Sequence, residues 1–386
     1  MLNIILLGLV SFFSDISSEM VYPLIPLYLT GAFGATPALV GVIEGIAESL
    51  ASLLKVFSGY FTDKRNNKKP VAFFGYATGL VYKLTLILAS SWGGILFARV
   101  IDRVGKGIRT APRDVLVSES ADKNSMGKAF GIHKALDMAG SALGIFAAYI
   151  LLARSSGEFN YKRLFALSVI PAVVGLASML FVKESKAPRK VKEKERFWLN
   201  MKGLDRNLKL YLVIAFIFTL GNSSNTFLLL RAKSIGFNDT NVTLLYLIYN
   251  LTAALLSVPF GKLSDKLGRK KVLMAGYLTF SLVYAAFAYA KSPALMIAAF
   301  IVYGAYTAMT AGVERALIAE ISPAGLKGTM LGLHATLVGV ALLPASVIAG
   351  GLWNSLGAAA PFILGAGLSL AAFVMLFFLK ESKKAA

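Results

Sequence analysis

The feature that most constrains this sequence is an internal repeat that relates its two halves. Three short motifs in the first half recur in the second half, in the same order and at nearly one offset. The two histidines of the chain, His133 and His334, occupy equivalent positions in one of these motifs. We therefore expect a fold that is built from two related units. The matched segments are 127–133 with 328–334, 59–64 with 261–266, and 181–186 with 378–383.

Long apolar blocks fill most of both halves. The chain is 56% hydrophobic and only 16% charged, whereas a soluble domain carries about 25% charged residues. Blocks of about 20 apolar residues can cross a bilayer as helices, and the short alternating segments of barrel strands are absent. The pattern predicts an all-α membrane protein with twelve transmembrane helices in two pseudo-symmetric six-helix halves. The predicted spans, numbered 1 to 12, are 3–30, 37–60, 70–90, 91–112, 127–152, 163–182, 209–231, 240–260, 271–290, 293–314, 328–352 and 358–379.

The longest polar stretch, 183–208, lies at the repeat boundary and is rich in lysine and arginine. We interpret it as a cytoplasmic linker between an N-terminal half, 1–182, and a C-terminal half, 209–386, which ends in a short cytoplasmic tail. Phe197 and Trp198 within the linker predict a short helix at the membrane surface.

The net charge of +20 is distributed in a way that predicts the topology. Basic residues follow the even-numbered spans, whereas the opposite connections are nearly uncharged, with 154–163 as the exception. Because Lys and Arg favour the cytoplasmic side, we expect both termini in the cytoplasm and the protein in the inner membrane. The same distribution argues against nucleic-acid binding. The chain is apolar from Leu2 with no basic stretch before it, so the first span is expected to be retained.

Several function classes lack the residues that they need. The sequence has no cysteine and two distant histidines, and it shows no recognised catalytic spacing, so we predict no enzyme activity, no metal site and no cofactor. Gly105-Lys-Gly107 does not have the spacing of a phosphate loop, which argues against a nucleotide-driven pump. A channel fits less well, because repeated bundles of membrane helices are typical of secondary transporters with a site between the repeats.

The loops after spans 2 and 8 resemble a motif of the major facilitator superfamily. That family carries a glycine, an aspartate four residues later and a basic run at this place. Asn66 and Asn67 depart from the motif in the first copy. The resemblance implies a gating role for these loops and for a base at the end of span 4. The implied gating residues are Gly59, Asp63, Lys64, Arg113, Gly261, Asp265, Lys266 and Arg269.

Within the superfamily, the chain looks closest to bacterial drug/proton antiporters. Gly140 and Gly144 lie where that branch has a glycine- and proline-bearing motif, although the proline is missing here. The resemblance implies transport of a small solute by alternating access, with the lipid bilayer as surroundings. A monomer suffices, since a single chain contains both halves.

Acidic residues inside the first half are the candidates for proton coupling. A charge at the bilayer centre costs about 2.5–3.5 kcal/mol on insertion scales, so such groups need partners or a watery cavity. Asp15 and Glu19 are four residues apart and share a helix face. Glu44 and Glu48 lie within about 40° of each other on span 2, and Asp137 lies in span 5.

Span 4 combines acids and bases on one side. Arg99, Asp102 and Arg103 are candidate substrate-binding residues because the superfamily's fourth helix is expected to line the central cavity. The structural alternative is a charge network that only holds helices 1, 2, 4 and 5 together. Lys83 in span 3 is expected to snorkel or to pair locally.

The second half offers neutral hydrogen-bonding and aromatic groups at matching depth. We predict that they hold the body of the substrate, and the alternative is ordinary polar contact between helices. These candidates are Asn222, Asn225, Tyr246, Tyr249, Asn250, Tyr303 and Tyr306.

Two transport hypotheses follow. The first is proton-coupled export of an amphiphilic compound, in which the acids of the first half titrate. The second makes the span 4 bases Arg99, Arg103 and Lys106 an anion clamp, since guanidinium groups suit phosphate and carboxylate. That would mean exchange of organic anions or phosphate esters without protons.

Overall fold

A computed structural model describes residues 2–65, 68–121, 126–155, 159–184, 205–322 and 327–380. The regular elements in these ranges are all helices, with no strand among them, so the predicted all-α class is confirmed. The predicted linker helix around Phe197 and Trp198 lies outside the described residues. The helices are α1 (Leu2–Val21), α2 (Ile25–Phe33), α3 (Pro37–Arg65), α4 (Lys68–Leu88), α5 (Trp92–Glu119), α6 (Met126–Ala153), α7 (Tyr161–Leu180), α8 (Arg206–Gly221), α9 (Thr226–Ser234), α10 (Asp239–Leu267), α11 (Arg269–Tyr289), α12 (Pro293–Thr310), α13 (Val313–Ile321), α14 (Lys327–Leu356) and α15 (Ala360–Phe377).

Eleven stretches of the described chain are long and apolar enough to cross a membrane. The remaining predicted span corresponds to α5, which has 28 residues but carries many charges. Large apolar side chains such as Phe74, Leu88 and Phe181 are exposed on the helices, and a bilayer would cover them.

Three predicted spans are interrupted rather than continuous. Span 1 breaks into α1 and α2 at a 3-10 helix over Tyr22–Leu24, where prolines remove backbone donors. Span 7 breaks between α8 and α9, where Asn222 leaves the helical conformation. Span 10 breaks between α12 and α13 at Ala311 and Gly312. Irregular backbone at membrane depth is tolerated only where it is buried in protein or lines a cavity.

The helices form two compact units, counting in each only the residues described above. In unit 1, α1 packs mainly against α6 and α7, and α4 packs against α5. In unit 2, α11 packs against α15 and α12, and α8 packs against α15 and α14. Unit 1 comprises Met1–Ala35, Ile46–Lys192 and Asn238–Leu247, and unit 2 comprises Thr36–Gly45, Glu193–Phe237 and Ile248–Ala386.

Each unit is closed at one end by the same asparagine clasp. In unit 1, the Asn3 amide donates to the Lys183 carbonyl at 2.9 Å and accepts from the Lys183 amide at 2.8 Å. In unit 2, Asn207 makes the same two bonds to Lys380, at 3.0 and 2.9 Å. The clasp ties the first helix of each unit to the residues that follow its last helix. Lys183 belongs to the repeated motif 181–186, and Lys380 belongs to its copy 378–383. The clasp therefore gives these two lysines a structural role.

Removal of the clasp is expected to destabilise its own unit. Because each clasp has two hydrogen bonds, Asn3→Ala should lower the free energy of unfolding by about 1–3 kcal/mol. Asn3→Asp, which retains only the acceptor, should fall between wild type and Asn3→Ala. Thermal unfolding of the detergent-purified protein would measure both, and equal midpoints for all three proteins would contradict the role of the clasp.

Candidate functional site

Two glycines bring the backbones of α1 and α6 into close approach. A Cβ atom added to Gly140 would lie 2.9 Å from the Cα of Phe12, and one added to Gly144 would lie 2.9 Å from the Cα of Ile16. Small residues permit this kind of close helix packing in membranes. The approach determines what the polar side chains of α1 and α6 can reach.

Asp15 on α1 and Asp137 on α6 meet across this contact. Their side chains lie within hydrogen-bonding reach of each other. Asp137 also forms an ion pair with Lys134, at 2.6 Å from Nζ to Oδ2. A hydrogen bond between two carboxyl groups requires that one of them hold a proton, because an ionised carboxylate only accepts.

A larger residue in the glycine contact is expected to separate this carboxyl pair. Gly144→Val should destabilise the protein by about 1–3 kcal/mol, because its side chain would overlap the α1 backbone. Gly131 offers a matched control on the same helix, since no atom lies within 4 Å of a Cβ added there. Gly131→Val should therefore leave the thermal midpoint unchanged, and an equal loss in both variants would show that the close approach is not the cause.

The charged face of α5 forms a second buried group. Arg103 pairs with Glu48 of α3 at 2.8 Å. Asp102 lies between two bases, with Arg99 and Arg103 each 3.7 Å away. Arg99, Arg103 and Asp102 are only 1%, 5% and 7% exposed. Buried charges need compensation of this kind.

Further charged residues surround these pairs. Glu19 has one buried carboxylate oxygen without a hydrogen-bond partner among the described residues. Lys106 acts electrostatically on Asp15, Glu19 and Glu48. Lys83 is 1% exposed, its ammonium group lies 4.3 Å from the centre of the Tyr82 ring, and it is within the field of Asp102, so of the two expected alternatives it pairs locally rather than snorkels. Acids and bases from four helices thus share one interior region of unit 1.

Tyr22 joins this group, although it is not among the site residues predicted from the sequence. The guanidinium carbons of Arg99 and Arg103 lie 5.3 and 5.8 Å from the centre of its ring. The ring of Tyr246, a predicted substrate residue, lies 5.7 Å away. Arginine over an aromatic face is a favourable contact. The signal that would have found Tyr22 is the following Pro23, which places the ring at the break in span 1.

A neutral polar triad lies beside the charged region. Ser11 bonds to the Tyr76 hydroxyl at 3.1 Å and to Nε2 of His133 at 2.9 Å, and all three residues are buried. Arg109 stands over the Tyr76 ring at 4.4 Å and donates to Ser14 at 2.9 Å. His133 is therefore a satisfied buried polar residue.

The remaining acidic candidate and the first gating loop are only partly described. Glu44 is buried on α3 within the residues assigned to unit 2. The helix α3 includes Gly59, Asp63 and Lys64, but the surroundings of Gly59 and the side chains of Asp63 and Lys64 lie outside the described part of the structure. Arg113 pairs with its neighbour Asp114 at 2.8 Å.

The second gating loop is described in full. Arg269 pairs with Asp265 at 3.8 Å and more closely with Glu320 of α13 at 2.9 Å. Gly268 has a φ of 99°, which lets the chain turn between α10 and α11. Gly261 and Lys266 lie on the last turns of α10.

The broken span 7 organises the polar groups of unit 2. The Asn225 amide accepts from the Tyr303 hydroxyl at 2.8 Å and donates to the Tyr249 hydroxyl at 3.4 Å. Asn222 donates to the Tyr306 hydroxyl at 3.0 Å. Both asparagines lie at the break, where they can reach across to α10 and α12. Asn250 is half-buried on α10 beside this network.

No group of three or more metal-ligating side chains exists among the described residues.

A model of the Major Facilitator Superfamily matches residues 7–231 and 210–386 of this chain. The chain belongs to the major facilitator superfamily. The members of this superfamily are membrane transporters, so the protein is a multi-pass transporter and not an enzyme.

Two relatives illustrate the range within the superfamily. The uncharacterised MFS-type transporter MJ1317 of Methanocaldococcus jannaschii is 38% identical over 386 residues, which cover 98% of this chain and 94% of the relative. The multidrug resistance protein MdtG of Escherichia coli is 23% identical over 307 residues, covering 75% of this chain and 73% of MdtG.

Solved structures of other superfamily members share the fold. The nucleoside transporter NupG superposes with a TM-score of 0.80 at 13% identity, over 99% of this chain and all of NupG, 100%. A D-xylose–proton symporter superposes with a TM-score of 0.76 at 18% identity, over 99% and 98% of the two chains. At these identities, the likeness shows the fold alone.

Proposed function

We propose that this transporter exports an amphiphilic compound across the cytoplasmic membrane in exchange for protons, as a monomer with both termini in the cytoplasm. The basic segments after the even-numbered spans support this orientation. The distant relative MdtG carries the name of a multidrug resistance protein, which is in line with an amphiphilic substrate.

The carboxyl pair Asp15–Asp137 is the observation that carries proton coupling. A hydrogen bond between these neighbouring carboxyl groups needs one shared proton, and loss of that proton would leave two like charges side by side. Glu19 and Glu48 of the same unit extend the proposed coupling group, and Glu44 remains a proposed member on the basis of its position in span 2. Asp15, Glu19 and Glu48 all lie in the electrostatic field of Lys106, so their charges are linked. A cationic substrate and a proton would therefore compete for the same group of carboxylates.

The proposed substrate contacts fall into two sets. In unit 1, Arg99, Asp102 and Arg103 with Tyr22 and Tyr246 offer charge beside aromatic faces. In unit 2, the asparagine and tyrosine network at the break between α8 and α9 offers neutral donors and acceptors beside rings. Apolar surfaces with a few placed polar groups suit an amphiphilic compound.

The second candidate is exchange of organic anions or phosphate esters. It is favoured by Lys106, whose ammonium group makes no direct ion pair with a described residue, although the four acids that lie in its field oppose the binding of an anion. The bases Arg99 and Arg103 count against it, because Asp102 and Glu48 already neutralise them.

A ligand screen by thermal stability tests the two candidates against each other. A ligand of the folded state raises the unfolding midpoint with the logarithm of its concentration. The probes are lipophilic cations, organic acids with phosphate esters, sugars, and metal chelates, each at two pH values. Stabilisation by cations that weakens at low pH supports proton-coupled export. Stabilisation by anions that disappears in Arg99→Gln and Arg103→Gln would replace it with anion exchange.

A further inference from the structure

A further acid, Glu314, is half-buried in unit 2 beside a fully buried tyrosine. Glu314 is in the first turn of α13, directly after the break that follows α12. Its Oε1 accepts a hydrogen bond from the Tyr277 hydroxyl at 3.1 Å, and Tyr277 on α11 is 0% exposed. Glu314 is not among the site residues predicted from the sequence.

Two polar side chains with an unsatisfied atom lie on α8 and α14, two of the helices that pack against α13. The rings of Tyr211 on α8 and His334 on α14 are stacked, with centres 6.2 Å apart and planes 19° apart. They are 0% and 8% exposed. The Tyr211 hydroxyl and Nε2 of His334 have no hydrogen-bond partner among the described residues. Buried polar atoms without partners call for an explanation, since nearly all such groups in proteins are bonded.

The other charged and titratable groups around Glu314 do not neutralise it. Tyr306 on α12 and Tyr211 on α8 lie within its electrostatic field. Arg315 is the nearby base on α13, and its side chain is exposed. Among the described residues that bear on Glu314, none is a buried base. An ionised carboxyl that is half-buried against the fully buried Tyr277 is therefore costly, and a bound proton removes that cost.

The internal repeat gives this cluster a counterpart in unit 1. Tyr277 and His334 lie 201 residues after Tyr76 and His133, and Glu314 lies 201 residues after Arg113. In unit 1, Ser11 satisfies both Tyr76 and His133. In unit 2, the base is replaced by an acid, and the histidine is left without its partner. The repeat-related frameworks are the same, but their chemistry has diverged.

We infer that Glu314 is a proton-binding site of unit 2, in which Tyr277 holds one carboxyl oxygen and Tyr211 and His334 form the polar lining. The inference rests on the proposed function only for the part that this proton plays in transport. Binding of the proton itself is independent of Asp15 and Asp137. The ligand is a proton rather than an alkali cation, because a histidine nitrogen and a single carboxylate make a poor set of ligands for a hard cation.

Infrared difference spectroscopy on the full-length protein in lipid nanodiscs tests this directly. The protein is titrated with acid, and the C=O stretching band of protonated carboxyl groups is recorded. Glu314→Gln is expected to lose the intensity of one carboxylic acid, and the double variant Asp15→Asn with Asp137→Asn is expected to retain it. Glu320→Gln is the matched control on the same helix and should also retain it.

A second variant tests whether the band comes from the carboxyl group that Tyr277 contacts. Tyr277→Phe removes the donor to the Glu314 carbonyl oxygen, so the band should persist but move to higher frequency. An unchanged spectrum in both Glu314→Gln and Tyr277→Phe would overturn the inference. Loss of the band on addition of sodium chloride at constant pH would also overturn it, in favour of a cation site. Failure of the Asp15 and Asp137 coupling leaves these outcomes unaffected, so the two proposals are tested separately.

Discussion

Asp15→Asn and Asp137→Asn are each expected to abolish proton-driven transport while the protein stays folded. An asparagine amide can occupy the place of the carboxyl group and still form a hydrogen bond, but it carries no titrating proton. Proton movement coupled to the substrate should therefore fall to the level of empty liposomes. The close contact of α1 and α6 is unaffected, because Gly140 and Gly144 are unchanged.

The measurement uses protein in liposomes loaded with a pH-sensitive dye, with tetraphenylphosphonium as the amphiphilic cation probe. Exchange of labelled for unlabelled probe needs no proton, so it should continue in both variants. Asp205→Asn is the control, because Asp205 caps α8 and asparagine caps a helix equally well. Proton-coupled transport at the wild-type rate in both Asp15→Asn and Asp137→Asn would eliminate the carboxyl pair as the coupling site.

The second large effect concerns the ion pair between Glu48 and Arg103. Arg103→Met should lower the free energy of unfolding by about 3–5 kcal/mol, because it leaves the carboxylate of Glu48 without its base in the membrane interior. Combining it with Glu48→Gln should restore most of the loss, since no uncompensated charge remains. The measurement is thermal unfolding of the single and double variants.

The double variant separates a structural from a functional role of this pair. If the pair only joins α3 to α5, the double variant should recover transport together with stability. If Arg103 contacts the substrate, stability should return without transport. A double variant as unstable as Arg103→Met would contradict the view that the unpaired charge is the cause.

The membrane fold followed from the sequence because its signals are local. Twenty apolar residues in a row determine a span, and the repeated motifs predict two related units. The span limits agree with the helices within a few residues at most ends, and α5 was recognised although its charges set it apart from the other spans. Backbone groups in lipid must be satisfied within the helix, so few alternatives exist.

The sequence also indicated which side chains are costly to bury, but it did not pair them. Charged residues within long apolar segments can be recognised without any knowledge of packing. They include Asp15, Glu48, Arg99, Arg103 and Asp137. Which acid meets which base depends on helix rotation and separation, and these depend on contacts far apart in sequence. The approach of Asp15 to Asp137 required the glycine contact of α1 and α6.

The tertiary structure decided which side chains meet at the breaks in the spans. Spans 1, 7 and 10 are continuous in the prediction, and their interruptions in the structure place Tyr22, Asn222 with Asn225, and Glu314. Composition and periodicity measure how well a segment suits the bilayer, and they are insensitive to a break whose backbone groups are satisfied by other helices. The sequence by itself thus determined the spans, the repeat and the buried charges. Which acid pairs with which base is decided by the packing of the helices. A hydrogen bond requires its donor and acceptor atoms to lie within about 3 Å of each other, and only the assembled unit brings them that close.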